Sequence, residues 1–432
     1  MKAIIIGNHA AGLSAAETLR QGDQSCDIIV ISKEDVPPYS RCLIPYLVSG
    51  KKQVDDILFK PADFYRENSL ETMFNVEAVK VLPKEKQVLL ADGSKIGYDS
   101  LVIATGGTPS LPGIPGIKNK GVFGFHTLSD AEKIIAYADK VNTAVILGGG
   151  LIGIKAAISL KERGKNVKVL VSSPSILSQI VDTKEAGIFE EFLSELGMEI
   201  LKNTSPARVL GEEKVEGLET TEGKKIQCEM VVVGKGVKAN KDLVRGTDIK
   251  TEYGIIVDEH CRTSVPTVYA AGDVTQSQDT VRKERWTNAL WPFAVEEGRI
   301  AAENILGNES SVLRERTSMN SIAVGDIALI SCGLTGVRDK VDGGEELTVK
   351  GPGKWDCKRF VLKDGKLVGY VLVGNVAHAG VLTSLVRKEI GVESIKQQLL
   401  LSKYDFASIL PLVKQHRNRF TEREYREVLA FF

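Results

Sequence analysis

Two kinds of residue in this 432-residue chain are spaced so that they could do chemistry, a single cysteine and a pair of glycine turns. Cys42 lies in PPYSRCLIPYLVSG, Pro37 to Gly50, just before an apolar stretch with Pro45 at its opening. Proline is tolerated in the first turn of a helix and not deeper, so Cys42 is expected near a helix N-terminus. The helix dipole and neighbouring Arg41 are expected to lower its pKa from ~8.5 toward neutrality and enrich the nucleophilic thiolate. A free cysteine is otherwise an inert small hydrophobe, and these features favour a redox thiol. Cys26, Cys228, Cys261, Cys332 and Cys357 form no CxxC pair and no metal-ligand spacing, so they are expected to pack, and no disulfide, zinc site or cluster is expected. His126, His260, His378 and His416 show no pairing pattern.

The glycine turns are Gly7-Asn8-His9-Ala10-Ala11-Gly12 and Gly148-Gly149-Gly150-Leu151-Ile152-Gly153. In such a turn the first glycine permits the bend, the second lets backbone approach a pyrophosphate, and the third lets helix and strand pack. The phosphates then face a helix N-terminus, where free N–H groups and the dipole favour anions. The second turn satisfies the pattern fully; the first has His9 at the middle position. Two further pieces accompany them. TSVPTVYAAGDV ends a strand at Gly272-Asp273, where a carboxylate can accept sugar hydroxyls. YDSLVIATGGTPSLPGIPG carries Thr105 and Gly106 in a run of small residues that lets the chain cross close to a ligand.

The elements that must position these residues can be read from pattern. AIIIGNHAAGLSAAETLR and AVILGGGLIGIKAAISLKERG are each a buried parallel-type strand, a glycine turn and an amphipathic helix, so two nucleotide domains are expected. The prolines of 109–115 cannot continue a helix or central strand and mark a boundary. The second domain then spans 111–240 and ends at GKGVKAN, which includes Gly236. Residues 241–310 return to the first domain, making it discontinuous with 1–110. From 311 to 432 the pattern changes to hairpins, with a turn at Asp364-Gly365, followed by helices: an α+β domain that could build a subunit interface, expected to make a homodimer. Its basic residues Lys414, Arg417, Arg419, Arg423 and Arg426 alternate with acids and read as a solvated face.

Charges cancel, which gives no reason to expect nucleic acid or a membrane surface as partner. The opening MKAIIIG runs straight into a strand without the features of a secretion signal, and no apolar run approaches the ~20 residues of a membrane helix, so a cytoplasmic protein is expected.

Over its first 310 residues or so the chain resembles the pyridine-nucleotide disulfide oxidoreductases. The resemblance implies an α/β fold with two Rossmann-like domains of glutathione reductase type plus the C-terminal α+β domain. It implies FAD on Gly7, His9, Ala11, Gly12, Arg41, Thr105, Gly106, Gly272 and Asp273, and NAD(P)H on Gly148, Gly150, Ile152, Gly153 and Gly236. WTNALWPFAVEEGRIAAENILG resembles the helix that closes the flavin site in that family. The acid that relatives often carry at the end of the second strand is replaced by Ser32 and Val171, with Glu34 a substitute on the FAD side. No arginine follows Val171, which slightly favours NADH. Lys155 stands where glutamate is common, and reads either as a solvated helix lysine or as a cation for anionic flavin or a thiolate.

The acceptor is read two ways. CLIPYLVSG resembles the active-site stretch of coenzyme A disulfide reductases and NAD(P)H sulfur or persulfide reductases. The missing middle glycine at His9 fits these single-cysteine relatives and the NADH peroxidases and oxidases. Tyr39-Ser40-Arg41 and the C-terminal domain resemble rubredoxin reductases and nitrite reductase large subunits, whose site needs no cysteine. The preferred expectation is reduction of a small disulfide, persulfide or polysulfide, plausibly coenzyme A-linked, by Cys42 with Arg41. The alternatives are electron transfer to a small redox protein such as rubredoxin, and an NADH oxidase or peroxidase.

Overall fold

In the computed structural model, which describes residues 1–401, 407 and 409–429, both glycine turns sit at the ends of central parallel strands. The apolar run Lys2–Ile6 lies between Asp27–Ser32 and Ser100–Ile103, with Glu71–Phe74 and Val268–Ala270 at the edges of this five-stranded parallel sheet. Runs buried on both faces suit parallel pairing because helices cover each side. A second sheet repeats the plan. Thr143–Leu147 is central between Asn166–Val171 and Met230–Val233, with Glu199–Lys202 and Val122–Phe123 outermost. The crevice of such a sheet opens beyond the carboxyl ends of its strands, at the point where strand order reverses. Both glycine turns are there.

Six helices carry the rest of the argument. Helix α1 (Ala10–Gly22) follows the first glycine turn, and the short α2 (Ile44–Ser49) follows Cys42. Helix α3 (Leu128–Ala138) starts with a capping box between Thr127 and Asp130, and α4 (Leu151–Glu162) follows the second glycine turn. Helix α5 (Trp291–Ile305) opens with a proline, and α6 (Ala379–Arg387) belongs to the C-terminal unit. Helix α1 packs so closely on α5 that a Cβ at Gly298 would lie 2.1 Å from the Ala11 carbonyl oxygen.

Although α2 falls in sequence between strands of the first sheet, it buries its apolar face elsewhere. Ile44, Leu47 and Val48 share a core with Ile134 of α3 and with Ile154 and Ala157 of α4. Each such side chain contributes about 1.5–3 kcal/mol on burial, so the Cys42 segment is fixed to the second nucleotide unit. The two chain crossings between the sheets pair with each other, Gly107–Pro109 antiparallel to Val237–Ala239.

The C-terminal unit is a five-stranded antiparallel sheet in the order Met319–Val324, Ile327–Gly333, Lys366–Val373, Cys357–Lys363, Glu345–Lys350. The Asp364-Gly365 turn is as the sequence predicts: both residues have positive φ, 50° and 72°, which the tightest two-residue hairpin requires. Helix α6 and the later helices cover one face through Leu382, Leu385, Leu412 and Phe420. Among the described residues no helix is long and apolar enough to cross a membrane.

Candidate functional site

Cys42 sits in a 3-10 turn, Arg41–Leu43, that runs into α2, with Pro45 at the helix opening as expected. It is exposed, whereas the other five cysteines are buried. The direction of its pKa is the reverse of the one expected. Although the residue reaches solvent, enough protein surrounds the sulfur that burial pushes the thiol up. Among charges Lys155 opposes this and Asp273 reinforces it, while the Ser40 hydroxyl also lowers the value.

Arg41, expected to lower the thiol, is committed elsewhere. Its Nη2 donates to Glu34 Oε1 at 2.7 Å and to His9 Nε2 at 2.8 Å, and its Nη1 donates to the His126 carbonyl at 3.1 Å. The Tyr39 hydroxyl donates to Glu34 Oε2 at 2.7 Å and accepts from the Leu128 N–H at 3.0 Å, tying the segment to the start of α3. Burial alone would raise the Glu34 carboxyl, but His9, Arg41 and Tyr39 together outweigh it and hold the group well below the usual carboxylate range. Both Glu34 oxygens thus accept from Arg41 and Tyr39, while the side chain stays 33% exposed and keeps lone pairs for a further donor. The Ser32 hydroxyl is itself spent on the Glu34 carbonyl at 2.8 Å.

A guanidinium only donates, so His9 accepts at Nε2 and carries its proton on Nδ1. Burial lowers the His9 pKa, which keeps this neutral form at pH 7, and burial pushes His126 down to about 4. His9 Nδ1 is buried without a protein partner. It lies at the N-terminus of α1, whose first-turn N–H groups have no helical acceptor, so the turn offers donors to an anion.

Both glycine cradles fit dinucleotides. A Cβ at Gly7 would lie 2.0 Å from the Ala104 oxygen, and one at Gly12 1.9 Å from the Gly7 oxygen. In the second turn a Cβ at Gly148 would lie 2.6 Å from the Gly234 oxygen, and one at Gly153 1.9 Å from the Gly148 oxygen. Around Gly150, Gly106 and Gly236, by contrast, nothing lies within 4 Å of an added Cβ. These are the places where a ligand can approach backbone. Gly272 (φ 83°) turns beside Ala11, bringing Asp273 to the first cradle. The Asp273 carboxylate accepts no hydrogen bond from a described residue, and burial pushes its pKa up with Arg41 opposing. An unpartnered carboxylate at this point suits ribityl or ribose hydroxyls. Thr105 is held by Asn240 on both sides: its hydroxyl donates to the Asn240 carbonyl at 2.7 Å, and its carbonyl accepts from Asn240 Nδ2 at 2.9 Å. Ile152 is half-buried in the opening turn of α4. Val171 is 1% exposed and packs under Gly149, so it cannot present a group to a ribose; exposed Ser172 is the first residue that can.

The residues that the sequence did not disclose are Glu297 and Arg316. Glu297 of α5 accepts from the Gly272 N–H at 2.6 Å and from the Thr275 hydroxyl at 3.0 Å, and pairs with Arg316 Nη2 at 2.6 Å. Both side chains are 2% exposed, and Arg316 stacks on Phe293 at 4.3 Å. The pair fixes the Gly272-Asp273 turn, joining segments too far apart for any pattern to link. Removing one partner strands the other's charge. Arg316→Met is expected to cost about 3–5 kcal/mol of stability in denaturant melts. It should also weaken FAD binding about tenfold, ~1.4 kcal/mol, in a fluorescence titration. Adding Glu297→Gln should recover part of the stability.

Comparison with known proteins places this geometry. The chain is 32% identical over 394 residues to an NADH oxidase of Methanocaldococcus jannaschii, covering 87% of this chain and 88% of that protein. It is 33% identical over 315 residues to an NAD(P)H coenzyme A polysulfide/persulfide reductase of Pyrococcus horikoshii, covering 71% and 70%. The solved structure of an NAD-dependent persulfide reductase from A. fulgidus superposes with a TM-score of 0.87 at 25% identity, over 96% of this chain and 84% of that one. The model of the family described as pyridine nucleotide-disulphide oxidoreductase matches residues 1–298, and with its two glycine cradles the chain belongs to that family of flavin-dependent NAD(P)H oxidoreductases.

Proposed function

We propose that this protein reduces the sulfur–sulfur bond of a small disulfide, persulfide or polysulfide, with a coenzyme A derivative the favoured class, and that Cys42 is its redox thiol. The observation that carries the reading is one exposed thiol at the opening of α2, within electrostatic reach of Asp273 beside the first cradle and Lys155 after the second, while five other cysteines are buried. The relatives that reduce persulfides support it.

In this reading residues 1–110 with 241–310 hold FAD, residues 111–240 hold NAD(P)H, and 311–432 support the site through Arg316 and supply the interface of a homodimer. FAD, when bound, takes hydride from the nicotinamide and returns two electrons to sulfur. The protein's residues do the rest. The α1 N-terminus with His9 Nδ1 binds the pyrophosphate, and Asp273 accepts sugar hydroxyls. Cys42 thiolate attacks one sulfur of the substrate, the S–S bond breaks, and the distal sulfur leaves as a thiolate that takes up a proton. Two electrons and a second proton then restore the Cys42 thiolate and release the other half as a thiol. The sum is one NAD(P)H and one proton consumed for each disulfide converted to two thiols.

Mass spectrometry tests the first step directly. Substrate added without NAD(P)H to enzyme whose thiol is reduced and whose flavin is oxidised should leave a mixed disulfide or persulfide on Cys42. A Cys42 that stays unmodified, with rubredoxin reduced rapidly and sulfur compounds untouched, would replace this reading by direct electron transfer.

Discrimination between NADH and NADPH is expected to be modest, about 1–3 kcal/mol in favour of NADH. Residues 171–176, VSSPSI, contain neither an acid to repel a phosphate nor a base to attract one. Lys202 is already paired with Glu190 at 2.7 Å. Ratios of kcat/KM for the two cofactors check this, and strong preference for NADPH would contradict it.

A further inference from the structure

Helices α2 and α4 are clamped at their C-terminal ends. Arg163 Nη1 donates to the Val48 carbonyl at 3.1 Å, and Lys51 Nζ meets Glu162 Oε1 at 2.6 Å. Counting back from this clamp, six residues lead from Val48 to Cys42 and eight lead from Arg163 to Lys155. At ~1.5 Å per α-helical residue and ~2.0 Å per residue of the 3-10 turn, these are roughly 10 and 12 Å, a mismatch smaller than the reach of a lysine side chain. Helices α2 and α4 bury their apolar residues in one core, and with their C-terminal ends tied Lys155 comes close enough to Cys42 for its charge to act on the thiol. Lys155 is half-buried, and its carbonyl accepts from the Ser159 hydroxyl at 2.7 Å. Its ammonium has no carboxylate partner among the described residues, whereas Lys51 and Arg163 on the same surface are each paired with an acid.

We propose that Lys155 is a positioning residue that supplies the counter-charge for the Cys42 thiolate in the sulfur chemistry proposed above, on which this inference rests. The groups that face the sulfur are few. Lys155 approaches from α4, Asp273 from the turn beneath α5, and Ser40 from the cysteine's own segment. Arg41, Glu34 and His9 are joined to one another and turned to the cradle of α1. Lys155 is therefore the cation that acts on the thiol, and it opposes both burial and the Asp273 carboxylate. A thiolate that must form in a partly desolvated cleft is stabilised by an ammonium held opposite it, and so is the transition state in which negative charge passes to the leaving sulfur.

The test is the pH dependence of Cys42 alkylation by iodoacetamide in reduced holoenzyme, followed at that one residue by mass spectrometry. Replacing Lys155 with methionine should move the midpoint of the rate upward by about one pH unit, with Lys155→Glu moving it further and Lys155→Arg restoring it. The displacement should shrink in high salt, which a purely structural effect would not do. A midpoint that stays in place in Lys155→Glu would overturn the inference. Because alkylation reports the thiolate without turnover, that failure leaves the redox role of Cys42 standing. Sulfur turnover by a Cys42→Ser enzyme would remove that role without moving the alkylation midpoint of the Lys155 variants.

Discussion

Replacing Cys42 with serine is expected to abolish turnover of sulfur–sulfur substrates, by at least about a thousandfold, while the protein keeps its FAD and still passes electrons from NAD(P)H to an artificial dye. The substitution preserves size at an exposed position, so neither the 3-10 turn nor the apolar contacts of Ile44, Leu47 and Val48 are disturbed. What it removes is the atom that must attack. A serine hydroxyl is not ionised near neutral pH and cannot form the mixed disulfide or persulfide that the two electrons later resolve. Dye reduction depends on the two cradles alone and separates loss of the thiol from loss of the flavin. Steady-state rates with coenzyme A disulfide, with a persulfide and with dye give the three numbers needed. Full sulfur-reducing activity in the serine variant would end the case for Cys42, and rubredoxin reduction at the parental rate would point to direct transfer.

Arg41 makes a useful contrast. From sequence it is the cation next to the thiol, and its loss is expected to raise the thiol pKa. Its guanidinium is instead held by Glu34, His9 and the His126 carbonyl. Arg41→Ala should therefore weaken FAD retention more than it moves the Cys42 alkylation profile. Adjacency in sequence said nothing about direction, because in the turn before α2 successive side chains leave the backbone on different sides.

That case marks the general boundary of what sequence disclosed. The glycine turns were legible because their requirement is local and steric: a Cβ at Gly12 or Gly153 would meet backbone oxygen of its own turn. The helix start after Cys42 and the Asp364-Gly365 hairpin were legible for the same reason, since proline and paired positive-φ residues constrain their own backbone. The electrostatics were not. The thiol answers to Lys155 and Asp273, more than one hundred and two hundred residues away, and to burial supplied by packing on α3 and α4. Nothing in the neighbourhood of Glu34 declares that Tyr39 and Arg41 fold back onto it. Val171 occupies the position expected for a ribose contact, yet its side chain is part of the core beneath Gly149. Sequence identified the strand end; only packing decides which residue there faces a ligand.

Two glycines of the second turn, Gly153 at its end and Gly150 in its middle, should respond oppositely to the same small change. A Cβ at Gly153 would stand 1.9 Å from the Gly148 oxygen, backbone against backbone, with no flexible group able to yield. Gly153→Ala must therefore push α4 off the strand Thr143–Leu147, and a cost of about 3 kcal/mol or more is expected, since overpacking in a close contact is relieved only by backbone movement. Because α4 also carries Lys155 and supports α2, the shift should reach the Cys42 segment and lower every activity together. Gly150 is different. Its φ of −77° and ψ of 179° suit any residue, and an added Cβ meets nothing within 4 Å. Gly150→Ala should leave the melting temperature within about 1 °C, a change of a few tenths of a kcal/mol. It should raise KM for NAD(P)H at least about tenfold, because the methyl occupies the space through which a pyrophosphate reaches the α4 N-terminus. FAD content should not change. Thermal melts, flavin absorbance and stopped-flow reduction by NADH separate the two variants. If Gly150→Ala binds NADH as the parent does, the open side of this turn is not where the dinucleotide lies, and the assignment of the second cradle fails.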